Sequence, residues 1–140
     1  MTWLNHEHQQ FESAVYRCRS ICDDKNWGLV RTLFQEFVES YGTHVRLEED
    51  VVFAMYEERA GTSSEPTDSL RTDHAQIANL CKHIHDLLER GDWQHVPREI
   101  SLLYRCVIRH HEKEEEIFLP MASEVLLSDK EEVLSRLKPA

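Results

Sequence analysis

Glycine and proline are scarce, four of each in 140 residues, which excludes collagen-like and low-complexity chains and leaves few places where a long helix must stop. No apolar run approaches the roughly 20 residues needed to span a bilayer. The opening stretch, Met1 to His8, holds no basic region followed by an apolar one, so no leader peptide is expected and a soluble cytoplasmic protein is. Basic residues are few: 16 Lys and Arg against 26 Asp and Glu give a formal net charge of −10. That surplus repels phosphate backbones and anionic lipid, so neither nucleic acid nor membrane is expected as a partner. The four cysteines, Cys18, Cys22, Cys81 and Cys106, form no CxxC pair and no disulfide framework. They read as reduced thiols, three of them in apolar stripes, with Cys106 one turn before a candidate ligand, His110. What remains is 41% apolar and 30% charged, an ordinary globular composition for a single domain spanning residues 1–140.

The chain repeats itself without a gap at an offset of 66 residues. His8 maps to His74, His44 to His110 and Glu48 to Glu114, and the same offset carries Leu4 onto Leu70 and Trp27 onto Trp93. Apolar residues recur at three and four in four long segments, the period of an amphipathic helix. The first runs from about Leu4 to Cys22 and the second from Trp27 to the break at Gly61 to Pro66. The third runs from about Thr67 to Arg90, with Gly91 as its C-cap, and the fourth starts beyond Pro97, with Pro120 expected to kink or end it. A capping-box pattern, Ser128 with Glu131, predicts a last short C-terminal helix. Each half, about residues 4–59 and 67–122, is therefore a helical hairpin. The fold class is all-α, an antiparallel up-and-down bundle of four helices.

Within each hairpin the turn lies about 17 residues, or roughly 25 Å, from both histidines, so His8 and His44 end at one level and His74 and His110 at another. His44 to Glu48 and His110 to Glu114 are HxxxE pairs. Residues four apart share a helix face, so each pair offers an imidazole and a carboxylate to the interior. A carboxylate can bridge two ions about 3.5 to 4 Å apart. Imidazole with carboxylate suits iron, manganese or zinc better than magnesium or calcium. Taken singly these residues read as core histidines and surface ion pairs, but six buried polar groups on four matching stripes would cost several kcal/mol if left unpartnered. The predicted metal ligands are His8, His44, Glu48, His74, His110 and Glu114. His111 with Glu115 makes a competing HxxxE. The repeat selects His110, because the positions seven and ten before it and seven and eleven after it are apolar, as they are around His44. That reading places Ile117 and Met121 on the buried face. His6, His83, His85 and His95 fall at the rim.

On His8, His44-xxx-Glu48-Glu49, His74 and His110-xxx-Glu114-Glu115-xxx-Leu119-Pro120, the chain resembles hemerythrin-like proteins of the HHE cation-binding class over roughly residues 4 to 122. The resemblance implies a non-heme di-iron centre, oxo- or hydroxo-bridged, with the four His as terminal ligands and the two Glu as bridges; zinc and manganese are the alternatives. Oxygen-carrying members have a fifth His where this chain has Ala78. The ligand set is closer to that of proteins associated with repair of iron centres and nitrosative stress. Open iron positions then bind dioxygen or a related small molecule in sensing, storage or stress response. The alternatives are enzyme-like reduction of nitric oxide or peroxide, or iron-centre repair, and a metal-stabilised regulatory module whose acidic run, Glu112 to Glu116, binds a protein partner. Glu12, Tyr41 or Cys106 would fill or flank the open position, within a lining of Phe11, Phe37, Val51, Ile77, Val107 and Ile117.

Overall fold

The computed structural model describes residues 2–60 and 65–123, together with Ser135 alone. The expected C-terminal helix lies outside these residues. Four helices account for nearly all of them, and no strand occurs among the described residues. Helix α1 is Thr2–Cys22. Helix α2 comprises Trp27–Leu47, a π-helical stretch Glu48–Phe53 and a final Ala54–Ala60. Helix α3 is Glu65–Arg90, and after a 3-10 turn at Trp93–His95 helix α4 comprises Val96–Lys113, a π-helical stretch Glu114–Phe118 and Leu119–Ala122.

The chain ends each helix by local chemistry. Asn26 caps α2, its side-chain oxygen accepting from the Leu29 N–H at 3.2 Å. Helix α3 closes with Gly91 at φ 72°. The Asp92 N–H reaches back to the Leu87 carbonyl and the Gly91 N–H to that of Leu88, the pattern of a Schellman cap, whose left-handed residue glycine adopts without strain. Trp27 and Trp93, one at each hairpin turn and related by the repeat, stack at 5.2 Å, so both hairpins turn at the same end of the bundle. Helix α1 packs on α2 and α4, and α3 on α4; among these neighbouring pairs α2 and α3 make the loosest contact.

Apolar side chains form two clusters. The larger fills the hairpin-turn half around Val15, Phe34, Phe37, Ile84, Ile100 and Leu103. The smaller, around Leu4, Phe53, Met55, Leu70, Phe118 and Leu119, closes the other end. The buried histidines and glutamates lie between the two.

The two π stretches begin at Glu48 and Glu114, equivalent positions in the repeat. A π turn bonds i to i−5 and adds one residue; the Leu119 N–H accordingly meets the Glu114 carbonyl. This corrects the expectation for Ile117 and Met121 and leaves Pro120 as no more than a kink. A regular helix carries Ile117 and Met121 inward, yet they are 55% and 40% exposed, and Phe118, Leu119 and Ala122 are buried in their place. Pro120 does not end the helix: it stands in the first turn after the π stretch, and the helix runs on to Ala122.

Candidate metal centre

Each of the four helices sends one histidine inward: His8 from α1, His44 from α2, His74 from α3 and His110 from α4, all at least 96% buried. The carboxylates of Glu48 and Glu114 enter from α2 and α4 and are also buried. Their donor atoms fall into two overlapping groups, His8, His44, Glu48, Glu114 and Glu48, His74, His110, Glu114, each with its ligand atoms within 4.8 Å of one another. Both glutamates are common to the two groups. The closest approaches are His74 Nε2 to Glu48 Oε1 at 3.0 Å, His110 Nε2 to Glu114 Oε2 at 3.1 Å, and His8 Nε2 to Glu114 Oε1 and His44 Nε2 to Glu48 Oε2 at 3.3 Å.

Proximity here is not hydrogen bonding. The Nε2 atoms of all four histidines, Oε1 of Glu48 and both oxygens of Glu114 are buried without a hydrogen-bond partner. Seven lone-pair-bearing atoms aimed at two shared points, in a protein where buried polar groups are nearly always satisfied, fit a pair of divalent or trivalent cations. Nitrogen with carboxylate oxygen is a donor set for iron, manganese or zinc.

Without a cation the site draws protons instead. Burial pushes the His8 imidazole down, but Glu114 and Glu48 beside it raise it to about 11. His44 is pushed up to about 9 against its burial, chiefly by Glu48. Burial and the negative Glu48 hold the Glu114 carboxyl above its ordinary range, whereas Glu48, despite its burial, is held well below by His44 and His74. Two carboxylates so close demand positive charge between them.

The other nitrogen of each ring is fixed by a carboxylate nearer the surface. His8 Nδ1 meets Glu115 at 2.9 Å, His44 Nδ1 meets Glu7 at 3.2 Å, His74 Nδ1 meets Glu49 at 2.7 Å and His110 Nδ1 meets Asp73 at 2.9 Å. A carboxylate ion accepts only, so Nδ1 carries the proton and Nε2 presents a lone pair to the interior, as in metal sites where a carboxylate orients the ligand. These four residues escaped the sequence reading, although the signal was there: Glu7 and Asp73, like Glu49 and Glu115, are 66 apart. Helix α1 thus orients the histidine of α2, α2 that of α3, α3 that of α4 and α4 that of α1, a closed ring around the bundle.

His111 is 1% exposed, so choosing His110 by the repeat does not put its neighbour on the surface. Its Nδ1 meets Glu12 at 2.7 Å, its ring stacks on His8 at 3.9 Å, and it belongs to neither donor group. Tyr41 is also buried, with its hydroxyl unpartnered. Cys106 is half-buried and lines a small surface pocket with His110 and Asp73, outside both donor groups. His6, His83, His85 and His95 are exposed. Of the expected lining, Phe37, Val51, Ile77 and Val107 are buried and Phe11 half-buried; Ile117, 55% exposed, does not belong to it, although its repeat equivalent Val51 does.

One apolar pocket of about 450 Å³ lies in the loose α2–α3 seam, lined by Tyr41, Val45, His74, Ile77, Ala78 and Cys81 among others. It reaches the buried His74 beside the small side chain of Ala78. No described helix is long and apolar enough to cross a membrane.

The sequence matches the family model described as the hemerythrin HHE cation binding domain over residues 1–137. No curated protein and no solved structure matches the chain.

Proposed function

Because the chain belongs to the hemerythrin HHE cation-binding family, we propose that it is a non-heme di-iron protein that binds dioxygen or a related small molecule in sensing, storage or stress response. His8 and His44 would hold one iron, His74 and His110 the other, and Glu48 and Glu114 both. The observation that carries this reading is the set of seven buried, unpartnered donor atoms that fall into two groups sharing both glutamates. Iron supplies a redox-active Lewis acid with positions the protein does not fill. The chain's own residues fix the imidazole tautomers through Glu7, Glu49, Asp73 and Glu115, and Phe37, Val51, Ile77 and Val107 exclude water. The apolar pocket beside Ala78 and His74 gives a small uncharged molecule a route toward the interior.

Metal analysis of the purified protein, with its absorption spectrum in air, tests the reading. Two irons per chain with near-ultraviolet charge-transfer absorption are expected. Glu48→Ala, which removes a donor from both groups, should leave at most one iron. One zinc per chain without that absorption would overturn the proposal.

A further inference from the structure

Five histidines, not four, share one arrangement. Like the four in the donor groups, His111 is buried, has its Nδ1 against a carboxylate and carries an unpartnered Nε2. It differs in direction. The His111 and His8 rings are stacked with planes only 6° apart. The lone pair of an imidazole nitrogen lies in the plane of its ring, so the Nε2 lone pairs of two parallel, stacked rings lie in separate planes and cannot both be directed at one ion. His111 therefore points into the layer next to the ion of His8 and His44 rather than at it, consistent with its absence from both donor groups.

A second orphan stands at that level. The Tyr41 ring lies 6.2 Å from that of His111 and 5.9 Å from that of His44, and its hydroxyl has no partner. The repeat shows that this pair is not a by-product of the symmetric site. The positions equivalent to His111, Tyr41 and Glu12 in the other half are Val45, Val107 and Ala78, all apolar. Two polar side chains and the carboxylate that orients one of them have been built on one side only. Tyr41 also lines the apolar pocket of the α2–α3 seam, so a molecule entering there meets the tyrosine of this pair first.

We propose that His111 and Tyr41 form a donor–acceptor pair that holds the small ligand on the His8–His44 side of the centre and selects one that carries a proton. Glu12 fixes the His111 proton on Nδ1, which leaves Nε2 to accept; the Tyr41 hydroxyl donates. Hydrogen peroxide satisfies both. Azide satisfies only the tyrosine and sets its negative charge against the imidazole lone pair. This rests on the two-iron reading above, and it makes the two irons unequal, with the His74–His110 side lacking polar partners.

The test is optical titration of the iron-loaded ferric protein with hydrogen peroxide and, separately, azide, alongside iron content. His111→Phe should retain two irons per chain and bind hydrogen peroxide about tenfold more weakly, the scale of one neutral hydrogen bond, with azide unchanged or tighter. Tyr41→Phe should weaken both probes. His111→Gln, whose side-chain carbonyl can accept, should recover part of the peroxide affinity. If phenylalanine is not accommodated beside His8, His111→Leu makes the same comparison with a smaller side chain. Loss of an iron from the His111 variants would make it a ligand and overturn the proposal. So would equal weakening of both probes by His111→Phe, or no change in either. A wild-type chain that takes up fewer than two irons would instead sink the di-iron reading itself.

Discussion

Stripping the metal from this protein should lower its melting temperature by roughly 15 °C, and by more as the pH rises. The starting point is the cost of the empty centre. Seven buried donor atoms lack hydrogen-bond partners, and a buried polar group left unmade costs about 1–3 kcal/mol. Protons pair some of them, yet the remainder is of the same order as the whole stability of a domain, about 5–15 kcal/mol. Binding from the other side gives a firmer figure. An ion present at a hundred times its dissociation constant stabilises the folded state by about 2.7 kcal/mol, and two such ions by about 5. For 140 residues the unfolding entropy is about 0.3 kcal/mol per degree, so the shift is about 15–20 °C.

The pH dependence follows from His8 and His44. In the metal-free protein these rings are raised from 6.5 to about 11 and about 9, because a proton on each answers the buried carboxylates. A folded value above the unfolded one stabilises fully below about pH 6.5; that help is lost as pH rises through about 9 for His44 and about 11 for His8. Metal competes with those same protons. The stripped protein should therefore lose stability from pH 6 to 9 while the loaded one does not. Thermal unfolding followed by circular dichroism, with and without chelator at pH 6, 7.5 and 9, measures this gap. Equal melting temperatures with and without metal, or a gap that narrows with rising pH, would refute the reasoning.

Further outcomes probe other parts of the argument. Asp73→Asn removes the carboxylate that orients His110 at 2.9 Å and, on the proposed two-ion reading, should weaken binding of one ion by about 10- to 100-fold, read by competition with a chelator, leaving the other near its original affinity. Phe118→Ala should cost about 3–5 kcal/mol in denaturant unfolding, because Phe118 is fully buried against Phe53 and Tyr56, whereas the exposed Ile117→Ala should fall within about 0.5 kcal/mol; the reverse order would deny the π turn. Burial pushes the Cys18, Cys22 and Cys81 thiols up to about 12, 11 and 12, so iodoacetamide at pH 8 should label one cysteine per folded chain, the half-buried Cys106, as mass spectrometry will count. These thiols are raised above 9.0, so their contribution to stability is complete below that pH and is lost as pH climbs through 11 to 12.

The four helices were legible because their apolar stripes are long and their two hairpin turns are marked by Asn26 and Gly91, each with its own backbone chemistry. The π stretches were not. A turn widened by one residue leaves no compositional mark, and its effect, burying Phe118 in place of Ile117, exists only once neighbouring helices compete for the face. The repeat was also silent on what lies beside His110. By choosing His110 it assigned one of two adjacent histidines, but residues 110 and 111 lie about 100° apart on a helix, and with α1 packed on one flank and α3 on the other both directions are interior.

Four amphipathic helices, their pairing into two equivalent hairpins, and six histidines and glutamates on facing stripes, with the two histidines of each hairpin at a shared level, were readable from the chain alone, because periodicity and a 66-residue offset need no tertiary contact. Only the tertiary structure decided that these atoms converge in two groups sharing Glu48 and Glu114, that Glu7, Glu49, Asp73 and Glu115 each orient a ring on another helix, and that His111 lies stacked on His8. Those are relations between helices, and the direction of a lone pair across a helix interface is set by packing, which no single stripe encodes.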